Sequence, residues 1–397
     1  MTTLFHFLQN LTMQDPIFPP LSHDEIAQNH AIVQHIKREI AAHNGEITFS
    51  HFMQLALYAP QCGYYSGGAH KIGTAGDFIT APTLTPLFAQ TLARQIAPLL
   101  PQTAGNVYEF GAGTGALAAD LLHALSGSLK NYYIIELSEN LAQRQREHIA
   151  QHAPQFAEKV IWLNTLPTHF DGVILGNEVL DAMPIEKIRQ NEKGEWERAF
   201  VAMENDDFIL KYKKLDDENL FQAATQYFPP TLPYTSELHP TQHAFIKTLA
   251  EKLQRGAMIW LDYGFDSAQY YHPQRNEGTL IGHHKHRSVH NPFFRLGLTD
   301  LTAHVNFSDL AEAGVSSGLD LIGYTTQAHF LFNLGILDNL AQQFPQTNSA
   351  DYVQAAHAVQ LLTAQHEMGE LFKVIAFGKD VDVDWQGFAL GDMCHKL

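Results

Sequence analysis

The segment 107–117, VYEFGAGTGAL, constrains the fold of this chain more than any other. An apolar strand pattern runs into Glu109 and then into Gly111, Gly113 and Gly115, and a helical pattern follows. Because glycine has no Cβ, such a loop turns sharply and lets a ligand lie against the backbone, as in doubly wound α/β folds. The G-x-G-x-G spacing and the preceding carboxylate disfavour a pyrophosphate. They favour a ligand that carries an amino group and a sulfonium, such as S-adenosylmethionine.

Composition excludes several classes of protein. The chain has 397 residues and a formal net charge of −17, which disfavours nucleic-acid binding as a main activity. Two cysteines, Cys62 and Cys394, provide no disulfide framework and indicate a reducing compartment. No apolar run approaches the roughly 20 residues that span a bilayer. No Lys or Arg precedes Lys37, so we expect neither a secretory signal nor a transit peptide, and the sequence predicts a cytoplasmic protein.

From residue 106 onward, strand and helix patterns alternate, which predicts a mostly parallel sheet with helices on both faces. The predicted strands are 106–110, 132–136, 158–163, 171–176, 257–262, 319–326 and 370–378. Helices are predicted between most of them, at about 114–126, 138–152, 241–255 and 307–315. Helical spacing also predicts three earlier helices, at 22–43, 48–59 and 85–100.

The alternation is interrupted after residue 184. Residues 185–215 show period-two alternation with two turn signals, which predicts an inserted β-meander, and the proline-rich stretch 217–240 is interpreted as a linker. We therefore divide the chain into four parts. These are an N-terminal helical region with a cofactor-closing loop (1–104), the first part of the core (105–184), an inserted substrate-binding lobe (185–240) and the second part of the core (241–397).

Acidic and amide side chains follow several predicted core strands. Glu136 ends the strand NYYIIE, where an acidic residue accepts hydrogen bonds from ribose hydroxyls in doubly wound nucleotide sites. Asn177, Glu178 and Asp181 come just after the predicted strand 171–176, and Asp262 ends another strand. Ligands bind at that edge of such sheets, so we expect a cleft there. Asp181 has an alternative role, as the cap of a following helix.

Two further segments have a functional and a structural interpretation. The glycine-rich run GDFITAP, with Gly76, Asp77 and Thr80, is able to close over a cofactor or to form a surface loop with a helix cap. The His-rich run 283–290 invites a metal site, but adjacent histidines diverge in an extended loop and the neighbouring basic residues repel a cation. We expect no metal. Asp300 and His304 have i, i+4 spacing on an expected helical turn, which favours a structural hydrogen bond.

Together these motifs resemble the MidA-like family of S-adenosylmethionine-dependent methyltransferases, whose mitochondrial members assist respiratory complex I assembly. The matching pieces are GYY (63–65), GDFITAP (76–82), EFGAGTGALAADLL (109–122), NEVLDAMP (177–184), DYG (262–264), GTL (278–280), DLTAHVNF (300–307) and MGELFKVIAFGK (368–379). Two departures concern the substrate side. GDFITAP continues with Thr-Leu in place of an acidic residue, and the run after GTL is His-rich where a Tyr/Arg-rich pattern is typical.

The resemblance implies a class I methyltransferase fold, a Rossmann-like doubly wound sheet with an N-terminal helical region and an inserted lobe. It implies a last strand that lies antiparallel at the sheet edge. It also implies S-adenosylmethionine as cofactor, and arginine dimethylation on a protein for the mitochondrial members. The cofactor-binding residues expected here are Gly76, Asp77, Thr80, Glu109, Gly111, Gly113, Gly115, Glu136, Leu137 and Asn177.

The chemistry of an arginine acceptor then predicts acidic catalytic residues. A guanidinium stays protonated at neutral pH, so its methylation requires carboxylates that bind the cation and take a proton late. Glu178 is the first candidate, with Asp181 and Asp262 next. The open alternatives are methylation of another acceptor, a cofactor-binding assembly factor with little turnover, and a nicotinamide dehydrogenase. The sequence leaves the oligomeric state open, a homodimer included.

Overall fold

The computed structural model describes residues 18–67 and 80–397. The first elements are helix α1 (His23–Ala42), strand β1 (Glu46–Thr48) and helices α2 (Phe49–Tyr58), α3 (Ala81–Leu84) and α4 (Pro86–Ile96). Ser22 begins α1 with a capping box: its hydroxyl accepts the N–H of Glu25, whose carboxylate accepts the N–H of Ser22. The predicted helices 22–43, 48–59 and 85–100 therefore correspond to α1, α2 and α4.

The core begins with strand β2 (Asn106–Phe110), helix α5 (Ala116–Ala124), strand β3 (Asn131–Ile135), helix α6 (Glu139–His152) and strands β4 (Val160–Leu163) and β5 (Phe170–Asn177). All five residues of β2 are buried, as are seven of the eight in β5. Strands covered on both faces have continuous apolar runs, so this part of the chain agrees closely with the sequence prediction.

The insertion contains strands β6 (Glu186–Gln190), β7 (Trp196–Glu204) and β8 (Asp207–Lys214), helix α7 (Glu218–Tyr227) and strand β9 (Tyr234–Leu238). The predicted meander is present, and it belongs to an antiparallel sheet in which β9 pairs with β6, and β1 and β8 both pair with β7. The prediction of a linker at 217–240 was wrong. Apolar side chains of α7 and β9, such as Leu220 and Tyr234, pack in a small core with Ile188 of β6 and with Tyr270.

The remaining elements return to the main sheet and add a small three-stranded one. In order they are α8 (Pro240–Lys252), β10 (Leu253–Phe265), α9 (Ser267–Tyr270), β11 (Ile281–His284), β12 (Arg287–Val289), β13 (Asp300–Thr302), β14 (Val305–Asn306), α10 (Phe307–Ser316), β15 (Asp320–Thr326), α11 (Gln327–Asn333), α12 (Ile336–Gln343), α13 (Ala350–Thr363), α14 (Met368–Leu371) and β16 (Phe372–Lys379). The helical turn expected around Asp300 and His304 was wrong, because Asp300 pairs in β13 with His283 of β11.

The main sheet has the strand order β15-β16-β10-β5-β2-β3-β4, with β14 beside the end of β10. Strands β10, β5, β2, β3 and β4 are parallel, so their carboxyl ends meet at one edge. β16 is antiparallel as expected, but it lies between β10 and β15 and not at the sheet edge. Seven of its eight residues are buried, which agrees with an inner position.

Helices cover both faces of this sheet. On one face, apolar side chains of α4, α5, α11 and α13, such as Phe88, Leu121 and Phe330, pack against the strands. On the other face α8 and α10 contribute Ile246 and Leu310. Each such side chain contributes about 1.5–3 kcal/mol by leaving water. Among the described residues, no helix is both long enough and apolar enough to cross a membrane.

The N-terminal region and the insertion share a separate core. Side chains of α1, α2 and β7, including Ile36, Phe52 and Val201, pack there with residues of the 296–303 segment. This arrangement places the end of α2 beside the edge of the main sheet where β2, β3 and β5 end, since the Tyr58 hydroxyl donates to the carbonyl oxygen of Ala182 at 3.0 Å. The division into four parts stays a prediction.

Candidate functional site

A cleft of about 920 Å³ lies at the carboxyl ends of β2, β3 and β5. The described lining includes eight of the residues singled out in the sequence: Thr80, Glu109, Gly111, Gly113, Glu136, Leu137, Asn177 and Glu178. Gly115, Asp181 and Asp262 are not among the described lining residues. Gly76 and Asp77 lie outside the described residues. The structure therefore brings most of the predicted residues together at one cleft, and their roles stay predictions.

The glycine loop after β2 has the backbone geometry that its sequence predicts. Gly111, Gly113 and Gly115 have φ values of 62°, 52° and 84°, in the left-handed region that disfavours other residues. A Cβ on Gly111 would lie 3.1 Å from the Val179 side chain, so the loop also packs closely against the turn after β5. The N–H groups at the start of α5 and the open loop surface suit a ligand lying against the backbone.

Glu109 lies under this loop and is 2% exposed. Its carboxylate accepts a hydrogen bond from the Tyr132 hydroxyl at 2.8 Å. Burial raises the pKa of Glu109 to about 8, the Tyr132 bond opposes this, and the nearby charge of Glu136 adds to it. A carboxyl group in this state is stabilised in its ionised form when a cation enters the cleft.

Glu136 follows β3 and is held in a fixed orientation. One carboxylate oxygen accepts the backbone N–H of Ser138 at 2.8 Å, and the other accepts from the Gln145 amide at 3.1 Å. Gln145 is fully buried, donates also to the carbonyl oxygen of Gly113 at 3.2 Å, and accepts from the Trp162 indole at 3.0 Å. Burial raises the pKa of Glu136. Gln145 thus couples the acidic end of β3 to the glycine loop.

Sequence reasoning missed Gln145, although a signal was present. In α6 its neighbours at i−3 and i+4 are the buried Ala142 and Ile149, so a polar residue lies on the apolar face of the helix. A buried amide must find hydrogen-bond partners, which points to a positioning role. Thr165 and Leu166 were also missed; they line the cleft just beyond β4, at the same sheet edge.

Glu178 occupies an unusual backbone position at the end of β5. Its φ is 54°, a conformation that non-glycine residues adopt rarely and that concentrates at functional sites. Its N–H donates to the carbonyl oxygen of Leu261 at 2.9 Å, which turns the chain out of the sheet. The carboxylate accepts the Asn177 side-chain amide at 3.0 Å and the backbone N–H of Ala81. Burial, followed by the charge of Asp181, raises the pKa of Glu178 to about 8.

Asp181 and Asp262 lie behind Glu178. Asp262 is 1% exposed, and one of its oxygens accepts the N–H groups of Val179, Leu180 and Asp181 at 3.1, 2.9 and 3.3 Å. Its other oxygen accepts the N–H of Tyr263 at 2.9 Å. Asp262 therefore holds the turn that presents Glu178.

Asp181 accepts the Tyr263 hydroxyl, and burial raises its pKa to about 6. In place of the helix that Asp181 was considered to cap, the chain forms a turn there.

The site has an excess of acid. Within residues 18–67 and 80–397, the carboxylates of Glu109, Glu136, Glu178, Asp181 and Asp262 have no ion pair within 4.0 Å. Buried charges are normally paired, and burial without a partner raises the pKa of each of these groups. A cationic ligand in the cleft stabilises the ionised form of the three carboxylates that line it, those of Glu109, Glu136 and Glu178. The arrangement is chemically suited to binding a sulfonium, an ammonium or a guanidinium.

The remaining candidates lie outside the described lining. The His-rich run forms the β11–β12 hairpin, in which His283 and His284 alternate in direction, and the part of the chain that is described contains no group of three or more metal-ligating side chains. Asp300 accepts the Tyr65 hydroxyl at 2.9 Å, while the His304 ring stacks on Phe265 with centroids 5.1 Å apart.

Comparison with known proteins agrees with this geometry. The family model described as "Putative S-adenosyl-L-methionine-dependent methyltransferase" matches residues 91–325. The crystal structure of a "likely methyl transferase" from Burkholderia thailandensis bound to S-adenosyl-homocysteine is 44% identical. It has a TM-score of 0.91 and covers 96% of this chain and 100% of that one. A native crystal structure of an uncharacterised protein from the same organism gives a TM-score of 0.88 at 44% identity, with the same coverage.

Curated relatives extend the comparison to eukaryotes. "Protein arginine methyltransferase NDUFAF7, mitochondrial" of Danio rerio is 26% identical over 383 residues, which is 87% of this chain and 86% of the relative. The Homo sapiens protein of the same name is 26% identical over 389 residues, or 87% and 82% of the two chains. The predicted resemblance, the class I methyltransferase fold and S-adenosylmethionine as cofactor are confirmed. The chain belongs to the S-adenosylmethionine-dependent methyltransferase family whose model matches residues 91–325, and it is an S-adenosylmethionine-dependent methyltransferase.

Proposed function

We propose that this enzyme methylates arginine side chains of a protein substrate. The observation that carries the proposal is the carboxylate of Glu178 at the cleft, with Asp181 buried behind it; neither carboxylate has a cationic partner among the described residues. The curated relatives from Danio rerio and Homo sapiens carry names that specify arginine as the acceptor. A planar cation with several N–H donors matches a pair of carboxylates better than a neutral acceptor does.

In this proposal the cofactor is held by residues at the carboxyl ends of β2 and β3. Glu136, oriented by Gln145, receives the ribose hydroxyls, and Gly111 and Gly113 give the ligand close access to the backbone. Glu109 provides negative charge near the loop. Leu137 lines the cleft with its side chain 77% exposed, and so offers an apolar surface for the adenine ring. The bound cofactor supplies a methyl group on a positively charged sulfur.

Glu178 acts on the acceptor in this proposal. The guanidinium keeps its proton in water, with a pKa above about 12, so the enzyme must bind the cation, orient one nitrogen and remove a proton as the methyl is transferred. A guanidinium beside Glu178 lowers the pKa of this carboxyl from about 8 and keeps it ionised for that step. Asp181, which lies behind Glu178, adds negative charge that attracts the guanidinium.

For Asp262 we propose a positioning role, since three backbone N–H groups surround one of its oxygens.

Radiolabelled cofactor and lysate from a strain that lacks the protein test the proposal. We expect labelled protein bands that contain methylarginine by mass spectrometry. Glu178→Gln should abolish the label while S-adenosyl-homocysteine affinity stays within about threefold, because Gln keeps the shape and the hydrogen-bond acceptor. The matched control is Glu204→Gln, an exposed glutamate at the end of β7.

Two other outcomes would overturn the proposal. Label on small molecules or on another side chain would identify a different acceptor. Cofactor binding without any label would favour the assembly-factor alternative.

The compartment is a separate question. The curated relatives are named mitochondrial, whereas the sequence prediction for this chain is cytoplasmic, and fractionation of the source cells would test that prediction.

A further inference from the structure

Two tyrosines at the cleft were not assigned any role by the sequence. Tyr58 ends α2, Tyr65 lies in the turn that follows, and both line the cleft together with Asn177 and Glu178. Their rings stack with centroids 5.5 Å apart and an angle of 22° between planes. The pair therefore presents aromatic surface to the same cavity that contains the unpaired acids.

Hydrogen bonds fix both rings. The Tyr58 hydroxyl donates to the carbonyl oxygen of Ala182 at 3.0 Å, next to Asp181, and the Tyr65 hydroxyl donates to an Asp300 carboxylate oxygen at 2.9 Å. Burial and the neighbouring carboxylates raise the pKa of both phenols, so the hydroxyls stay protonated and keep donating. The tyrosines are thus unsuited to act as bases, and their rings are positioned as a rigid wall.

One polar atom near this wall lacks a donor. Asn177 Oδ1 is buried and has no hydrogen-bond partner in the described part of the chain. Asn177 lines the cleft, and its side-chain amide is already committed to Glu178. Buried acceptors without donors are costly, and in an enzyme cleft they point to a ligand that supplies N–H groups.

We propose that Tyr58 and Tyr65 determine acceptor specificity by stacking against a planar guanidinium while Asn177 and Glu178 accept its N–H groups. This inference rests on the proposed arginine methylation and names the residues that select its substrate. Guanidinium combines a flat cation, which binds aromatic faces, with five N–H donors. A lysine ammonium is compact and strongly hydrated, and gives up this stacking. Citrulline, whose side chain ends in a neutral urea group, keeps the shape of arginine but lacks its charge.

The test uses the full-length protein saturated with S-adenosyl-homocysteine and three synthetic peptides. The peptides have glycines around one arginine, one lysine or one citrulline, and their binding is measured by calorimetry. Each tyrosine is changed separately to Leu and to Phe. Because a cation–π contact is worth about 0.5–2 kcal/mol, we expect Tyr58→Leu and Tyr65→Leu to weaken arginine-peptide binding about 2- to 30-fold. The Phe variants keep the ring, and each should bind the arginine peptide more tightly than the Leu variant at the same position.

Several controls separate recognition from structural damage. Tyr108→Leu changes a tyrosine that stacks on Tyr133 outside the described cleft lining, and it should not affect peptide binding. The affinity for S-adenosyl-homocysteine should be the same in every variant, which shows that the fold is intact.

Two results would overturn the inference. If wild type binds the arginine peptide best but neither Leu variant weakens it, the tyrosine wall is wrong and the proposed function survives. If wild type prefers the lysine or citrulline peptide, or binds none of them, arginine recognition fails and the tyrosine wall with it. If a Leu variant also loses S-adenosyl-homocysteine, the other tyrosine decides the outcome.

Discussion

Glu178→Gln should change the pH dependence of folding in a direction that the structure specifies. In the ligand-free protein, burial and Asp181 raise the pKa of Glu178 from 4.5 to about 8. Below pH 4.5 the group is protonated in both the folded and the unfolded chain. As pH rises from 4.5 to about 8, the unfolded chain loses the proton first, so folding must take one up. The contribution to stability is therefore full below pH 4.5 and lost as pH rises through about 8.

The size of the effect follows from linkage. Each pH unit inside this interval reduces the free energy of unfolding by up to about 1.4 kcal/mol. Glutamine does not titrate, yet it keeps an oxygen that accepts the Asn177 amide and the Ala81 N–H. Between pH 5.5 and 7.5 the variant should therefore gain about 2–3 kcal/mol of stability relative to wild type.

Urea unfolding without ligand, followed at several pH values from 5.5 to 8.5, measures this difference. The exposed Glu204→Gln variant is the control, and its curve should run parallel to wild type. The reasoning is refuted if Glu178→Gln and wild type also run parallel across this range. In that case Glu178 would be ionised in the empty cleft and would not be the acid that burial destabilises.

Two further substitutions test the architecture around the site. Gln145→Leu removes a hydrogen bond to the carboxylate after β3, worth about 1.5–3 kcal/mol, and should weaken S-adenosyl-homocysteine binding about tenfold or more by calorimetry. Gln143→Leu, exposed on the same helix, should bind normally; equal affinities in both variants would contradict the positioning role. Gly256→Ala places a Cβ 1.8 Å from the carbonyl oxygen of Gly172 at φ 135°, and should lower stability by at least about 2 kcal/mol in thermal unfolding. Gly127→Ala, with no atom within 4 Å of the added Cβ, should change little, so similar melting temperatures would refute the packing argument.

The core strands could be predicted because the same physical pattern appears in sequence and structure. β2 and β5 are buried on both faces, and their sequences are mostly apolar. The three glycines of the loop predict its left-handed backbone conformation. Carboxylates at the strand ends follow from the rule that parallel strands end at one edge. These local patterns sufficed to locate the cleft and most of the candidates that line it.

The failures involved interactions between distant segments. β9 was interpreted as linker because it lies among prolines, yet its residue Glu237 is fully buried. It accepts the N–H groups of Thr279 and Leu280 at 2.9 and 3.2 Å, and Lys187 lies 3.5 Å away. Asp262 is similar, since its partners in the turn after β5 precede it by about 80 residues along the chain. No local sequence pattern predicts hydrogen bonds between segments that lie so far apart in the chain.

The inner position of β16 has a consequence for synthesis of the chain. Strands β10 and β15 are both made earlier, but on one side each depends on the later strand β16 for its backbone hydrogen bonds. Until that segment emerges from the ribosome, two apolar strand edges remain open to solvent and to other chains. Nascent protein should therefore need protection from aggregation until β16 has been translated, and a premature stop before residue 372 would leave a permanently open sheet.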